Sequence, residues 1–571
     1  MPYDTNPPRT TVYLIAILLV AFSSLTVGAG EPVVPNAGSI LRQVELEIML
    51  DTLPGRTDLK IERKNETKLP SSVPFSLKTI EITGNTLFDT ATLHALVADA
   101  EGQQVILTQL GELSGRITDY YQSHNYPLAR AIIPAQTIQL GVVRIEVLEA
   151  NYGERRINNR SLVDTKLLEA TLSTLTNGQA IGQIELDHAL LLLSDIPGVL
   201  VTATLKPGEA AGTSDLLVTT LPGPAYTGNT VLENYGNGST GKVVAGATVN
   251  FINPLKHGDT LTVSARTSGI GMNYGRVSYE SLLNGQGTRL GGAYSQLSYA
   301  LTESFASLNA HGTAHVKNVW ARHPLVRSGI GETFSDISLH WQIKYAGKQL
   351  RDHIDITSTK TDRNLDDWTL TLDGNARDGF LSGGVTSWNL GWTSGQVQFD
   401  DSAAQLVDAN SANTQGNFSK LNLSLYRLQN LNPGNRLKVA FSGQLASTNL
   451  DSSQSMGAGG PNAVRAYDTN AVSGDSGHLI SIELQHNLDV GFGGQWQAVA
   501  FVDSAEVTVN KTPWVAGTNA AALHGAGLGI NVTGENQWNA KAYVAVPIGA
   551  QPALVSSTQS VRAWVSLGWN F

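Results

Sequence analysis

The 571-residue chain has no cysteine, so disulfide staples, thiolate metal sites and a cysteine nucleophile are excluded. Basic residues are scarce: 38 Lys and Arg stand against 48 Asp and Glu, a net charge of −10. No nucleic-acid partner is expected, because phosphate binding depends on clustered cations. There is no Gly-rich phosphate loop ending in Lys-Ser/Thr. The twelve histidines are scattered and lack metal-site spacing, so no metal or cofactor is expected. Beyond the N-terminus, no apolar run approaches the about 20 residues that a membrane-spanning helix needs. What is abundant is glycine, 57 residues, together with Thr, Ser, Asn and aromatics. That composition suits many strands joined by turns better than helical bundles.

The N-terminus carries Arg9, then the apolar run "VYLIAILLVAF", then small residues ending at Val27-Gly28-Ala29. A basic flank, a short apolar core and a small-residue site predict a secretory signal over residues 1–29. Residues 30–50 contain "PNAGSILRQVELEIML", in which Ile40, Leu41, Val44 and Ile48 fall on one helical face. Arg42, Gln43, Glu45 and Glu47 turn away from that face, and Asn36 is placed to cap the helix. Such a lone amphipathic helix serves as a surface helix, a partner-binding helix or a removable plug. Residues 51–73 are polar and charged around Pro54-Gly55, which reads as a flexible tether.

From residue 74 the order strand, helix, helix, strand, strand occurs over 74–150 and repeats more loosely over 151–225. These are two small α+β units by the layer rules, and neither holds a catalytic constellation. From Tyr226 to Phe571 the helical period disappears. "HWQIKY", "RLKVAFSG" and "LISIELQ" alternate strictly, with long charged residues in mid-strand on one face and aliphatic or ring residues on the other. A soluble sandwich also alternates, but an apolar-out, polar-in pattern with charged mid-strand residues is that of an outer-membrane barrel. In "AWVSLGWNF" the outward set Ala563, Val565, Leu567, Trp569 and Phe571 runs to the last residue, as an aromatic girdle and closing strand require. The predicted fold class is mainly β: a transmembrane β-barrel over 226–571 behind two α+β units. Its length fits 16 strands, and also 14 or 18.

One loop stands apart. "GGPNAVRAYDTN" sets a lone strong charge, Arg465, among turn formers. Taken by itself, Arg465 reads as an ordinary solvated residue.

The whole mature chain resembles the TpsB transporters of two-partner secretion, the ShlB/FhaC/HecB-like family. The resemblance rests on "AGSILRQ", "IEITGNTLF", "NYGNGSTG" with "NPLKHGD", Val464-Arg465-Ala466-Tyr467 and the terminal Phe571. It implies a 16-stranded barrel, two POTRA domains and an N-terminal plug helix bearing Ile40, Leu41, Arg42, Val44 and Ile48. It also implies that the loop after the eleventh barrel strand folds into the lumen, with Val464, Arg465, Ala466 and Tyr467 at its tip. The family has glycine where this chain has Ala466, and glycine enters backbone angles that alanine resists. The family's partner for the arginine is a wall aspartate. In "QWQAVAFVDSA", residues Gln495, Gln497, Val499, Phe501 and Asp503 share one face, so Asp503 is expected to point into the lumen. A charge-assisted pair there contributes roughly 1.5–3 kcal/mol, at the low end if lumenal water screens it. Trp569 and Phe571 are expected to close the barrel.

The function implied is export, driven by folding of the substrate outside the cell: POTRA domains capture an unfolded TpsA-type exoprotein by its secretion domain, and the barrel passes it outward. The exoprotein would be an adhesin, a hemolysin or a contact-dependent inhibition toxin. Implied partners are outer-membrane lipid and lipopolysaccharide, with assembly by the barrel assembly machinery. Two other classes compete. A general porin needs no POTRA repeats, and an assembly factor usually has a different repeat number and no plug helix. An enzyme reading rests on "GDSGH" (474–478) and "TAH" (313–315), which resemble segments of chymotrypsin-like proteases. Turn residues in a Gly/Ser-rich loop produce such a match easily, and no catalysis is expected.

Overall fold

The computed structural model describes residues 34–46, 58–61, 72–210, 212–329, 334–491, 493–555 and 559–571. The expected signal segment and Ile48 lie outside the described residues.

Sixteen antiparallel strands close into a barrel, from Tyr226–Glu233 to Arg562–Asn570. The alternation dictates this arrangement, since each strand sends successive side chains to opposite faces. In the last strand Arg562, Trp564 and Ser566 are buried inside, while Val565, Leu567 and Trp569 stand about half-exposed outside. The first and last strands pair over only Asn229–Glu233 with Ser566–Asn570. Gly228 and Phe571 extend the seam by exchanging backbone hydrogen bonds of 2.9 and 3.0 Å. The Trp569 and Phe571 rings lie 5.3 Å apart beside this seam. On the far wall, Phe334–Ile354 and Thr359–Asp378 pair over nearly their full length.

Helix α1 (Ala37–Leu46) stands inside the barrel. Asn36 caps it: its Oδ1 accepts from Ser39 N at 3.0 Å. Ile40, Leu41 and Val44 pack on Tyr274, Leu297, Leu350, Leu365 and Phe418, inward residues of the wall. Beside α1 the inward face of the wall is apolar, a local exception to the polar-in pattern of the strands.

The segment read as a tether contains a strand, β1 (Asp58–Ile61). It pairs in parallel with Thr202–Leu205 of the second α+β unit, and Leu59 packs against that unit's core. A polar segment becomes a strand here because a sheet edge offers it unpaired backbone groups.

The first unit runs β2 (Phe75–Ser76), β3 (Thr79–Thr83), α2 (Thr90–Ala95), β4 (Gln104–Val105), α3 (Leu107–Ser123), β5 (Arg130–Ile132) and β6 (Val142–Leu148). The second runs β7 (Asn151–Asn159), α4 (Thr165–Thr171), α5 (Gln183–Ser194), β8 (Val199–Pro207) and β9 (Thr213–Pro222). Its sheet order is β1-β8-β9-β7.

Glu149, at the end of β6, fastens the first unit. Its carboxylate accepts from Thr86 N (2.6 Å), Thr86 Oγ1, Leu87 N (2.8 Å) and the Tyr121 hydroxyl (2.8 Å). Burial pushes the Glu149 pKa up, but these hydrogen bonds outweigh it and hold the group below the usual glutamate range. A carboxylate with a depressed folded pKa stabilises the fold above its unfolded pKa of about 4.3, and that stability is lost as pH falls through the folded value. Glu149→Ala strands two backbone N–H groups and is expected to cost the unit on the order of 3 kcal/mol. Urea unfolding of the unit at pH 7, which measures this directly, would show an unchanged midpoint if Glu149 were idle.

Candidate functional site: the loop and helix inside the barrel

The eleventh barrel strand, Asn435–Ala446, is followed by the long segment 447–475, which folds inward and carries a short hairpin, Met456–Ala458 with Val472–Gly474. At its tip Tyr467 N donates to Val464 O at 3.1 Å, and Gly460 N reaches Val464 O and Tyr467 O at 3.2 and 3.1 Å. Gly459 and Gly460 take φ of 90° and 109°, a region that glycine alone enters freely. Ala466 is absent from the positive-φ positions, so alanine is accommodated at the tip without backbone strain. Its methyl is buried against Gly525 of the wall.

Arg465 points into the wall. Its Nε and Nη2 donate to the two oxygens of Asp503, each at 2.8 Å, and its backbone N donates to the same carboxylate at 3.1 Å. Nη1 reaches Glu483 at 2.8 Å and Nη2 also reaches Ser481 at 3.2 Å. Strand register builds this receptor: Ser481 lies opposite Asp503 and Glu483 opposite Phe501 on Ser476–Leu488 and Gln495–Thr508. The guanidinium carbon lies 3.3 Å from the Phe501 ring centre and 5.3 Å from that of Tyr543. Trp564 of the last strand donates its indole N–H to Arg465 O at 2.7 Å. Arg465, Glu483 and Asp503 are 4 %, 2 % and 0 % exposed.

The expected Arg465–Asp503 contact is therefore present in the structure, while the expected screening by lumenal water is not. A buried pair loses about 3–5 kcal/mol when one partner is removed, well above the screened value. Sequence reasoning missed Glu483, Ser481, Tyr543 and Trp564. Glu483 was visible as a mid-strand charge on a polar face, but only the register with the next strand places it under Arg465.

The same segment holds α1. Arg42, which was placed on the face turned away from the packing, is buried and donates to Ser455 O at 2.9 Å and Asn470 Oδ1 at 3.0 Å. The inward loop covers the side of α1 that carries Arg42. At the other end of α1, Ala37 N donates to Asp352 at 2.7 Å, and Arg363 joins Asp352 (2.7 Å) to Asp451 of the loop. Ser452 donates to Asn36 Oδ1 at 2.6 Å. Helix, loop and wall form one hydrogen-bonded body.

The residues of the protease-like segments are separated. The Ser476 hydroxyl accepts from Ala446 N at 3.0 Å, whereas His315 meets the Tyr294 hydroxyl at 2.8 Å, and five barrel strands lie between them. Among the described residues no group of three His, Asp or Glu is placed to hold a metal.

A closed 16-stranded barrel occupied by a helix and an inward loop, behind α+β units, defines an outer-membrane polypeptide translocator. Residues 75–150 match the family described as "POTRA domain, ShlB-type", and residues 212–534 match "Haemolysin secretion/activation protein ShlB/FhaC/HecB". The chain belongs to the latter family, and is an outer-membrane translocator of two-partner secretion with its POTRA region in the periplasm. It is 28 % identical over 492 residues to the heme/hemopexin transporter protein HuxB of Haemophilus influenzae, covering 85 % of each chain. CdiB from Escherichia coli superposes with a TM-score of 0.68 at 20 % identity, over 89 % of this chain and 93 % of that one. For CdiB from Acinetobacter baumannii the values are 0.61 and 16 %, over 93 % and 96 %.

Proposed function

We propose that Arg465, seated on Asp503 and Glu483, fixes the inward loop against the wall in the position that export requires, and that α1 plugs the lumen until an exoprotein arrives. The observation that carries this reading is the burial of a lone loop arginine among two carboxylates and two rings of the wall. Val464, Ala466 and Tyr467 shape the tip, while Trp569 and Phe571 complete the seam. The domain limits are 1–29 signal, 30–50 plug, 51–73 linker, 74–150 and 151–225 POTRA domains, and 226–571 barrel, with β1 of the linker added to the second POTRA sheet.

The partner is a secreted exoprotein carrying an N-terminal secretion domain, whether adhesin, hemolysin or contact-dependent inhibition toxin. HuxB is named for heme and hemopexin transport, so an exoprotein concerned with heme is a further option of the same class. Lipid and lipopolysaccharide contact the outward faces, and the barrel assembly machinery inserts the chain. No reaction is catalysed: Ser476 serves the backbone at the mouth of the loop.

Removing residues 74–150 is expected to abolish export while leaving a folded, heat-modifiable barrel. Coexpression with the large exoprotein of the adjacent reading frame, and assay of the medium, tests this. Secretion at the wild-type level by the shortened chain would place recognition elsewhere.

A further inference from the structure

The C-terminal half of helix α5 lacks the polar face of a surface helix. Leu190, Leu191, Leu192 and Leu193 are all buried, and a helical turn that is apolar all round is covered on both sides. One side belongs to the second POTRA unit's own core, with Leu186 and Ala189. The other lies on the barrel's periplasmic rim, where Leu192 and Pro324 both flank Gly287, and Leu191 is set against Gly329. Leu282 of the barrel is itself part of that unit's core.

At the C-terminal end of α5 an ion triad centred on a buried arginine ties the two bodies. The Arg327 side chain, on barrel strand Ala310–Ser328, is 0 % exposed. Its Nε and Nη2 grip Asp195 at 2.8 and 3.2 Å, and its Nη1 donates to Asp336 of the next strand at 2.6 Å. Arg289 donates to the Asp195 carbonyl at 2.7 Å, and His188 Nδ1 of α5 lies 3.1 Å from the Arg327 carbonyl. Nearby, Asp164 N donates to Lys256 O at 3.0 Å and Asn253 donates to the Pro197 carbonyl. Contacts therefore reach the unit from three neighbouring hairpin ends of the barrel. A two-pronged grip on Asp195 fixes direction as well as distance, which a lysine would not reproduce.

We propose that Arg327 is a positioning residue for export: it locks the second POTRA unit to the barrel mouth, so that the two act as one body and the exoprotein is delivered at a fixed place on the rim. The proposal rests on the export reading and adds to it a joint that stays closed throughout transport.

The test uses the full chain in outer membranes, with exoprotein in the medium as readout. Arg327→Met is expected to lower secretion at least about tenfold, one step of 1.4 kcal/mol, with the barrel still heat-modifiable. Arg327→Lys is expected to fall between Met and wild type. A second pair of changes, Asp187→Cys with Gly329→Cys, bridges the joint in an otherwise cysteine-free chain; a Cβ at Gly329 stands 3.7 Å from the Asp187 carboxylate. Joined by a short bis-maleimide, this pair is expected to leave secretion unchanged when Arg327 is present and to restore it in the Arg327→Met background. A crosslink that stops secretion in the presence of Arg327 would show that the unit must swing, and overturns the proposal. So does wild-type secretion by Arg327→Met, or a complete crosslink that restores nothing. If the unmodified chain secretes nothing, the export reading falls and the proposal with it.

Discussion

Arg465→Ala is expected to reduce secretion of the exoprotein to a few per cent of wild type, while the barrel still inserts. The substitution leaves Asp503 buried without its cation, leaves Glu483 with Lys438 across the strand pair, and strips the guanidinium from the Phe501 ring. Breaking such a buried pair costs about 3–5 kcal/mol, and each 1.4 kcal/mol is a tenfold change in the seated fraction of the loop. The barrel itself is held by sixteen paired strands and does not depend on this contact. Asp503→Ala is expected to weaken secretion less, because Glu483 and Ser481 still receive the guanidinium. Arg465→Lys keeps the charge but not the fork, and is expected to fall in between. Secretion assays paired with heat-modifiability of the inserted barrel separate loop unseating from misfolding. Wild-type export by Arg465→Ala would return the residue to an ordinary structural role.

Deleting residues 36–50 is expected to turn a closed protein into a conducting one. The dry contact of Ile40, Leu41 and Val44 with the wall is lost, and the space they fill becomes a water-filled channel. The deletion also removes Arg42 from Ser455 and Asn470, so the inward loop is expected to gain freedom and the conductance to fluctuate. Planar-bilayer recording checks both effects, and a conductance equal to that of the full chain would contradict the plug role. Export is expected to survive the deletion, since the helix must leave during transport in any case.

Much of this architecture was legible before any coordinates. Period-two alternation with charged mid-strand residues marked the barrel, and the phase of "QWQAVAFVDSA" turned Asp503 toward the lumen. The amphipathic spacing of Ile40, Leu41 and Val44 marked α1, though not that Arg42 would also be buried. That depended on a second wall, the inward loop, closing over the helix from the other side. Strand β1 was invisible because its pairing comes from the open edge of β8 rather than from its own composition, with Leu59 as an apolar anchor. Glu483 and Trp564 were missed for a different reason. Lumenal side chains of distant sequence meet only through strand register and loop folding, and alternation along one strand carries neither. The four consecutive leucines of α5 were the one signal of the POTRA–barrel joint. Their second face was not legible, because a single sequence does not say what covers it.

The central claim, that this chain moves an unfolded polypeptide through its barrel without a nucleotide, is tested most directly in proteoliposomes. The purified protein is reconstituted with its POTRA region outward, and an unfolded N-terminal fragment of the exoprotein is added with no nucleotide present. Protease-protected fragment is expected to accumulate inside with the wild-type chain and to be absent with Arg465→Ala. Fragment left wholly accessible to protease by a wild-type barrel that is inserted and heat-modifiable would contradict the account.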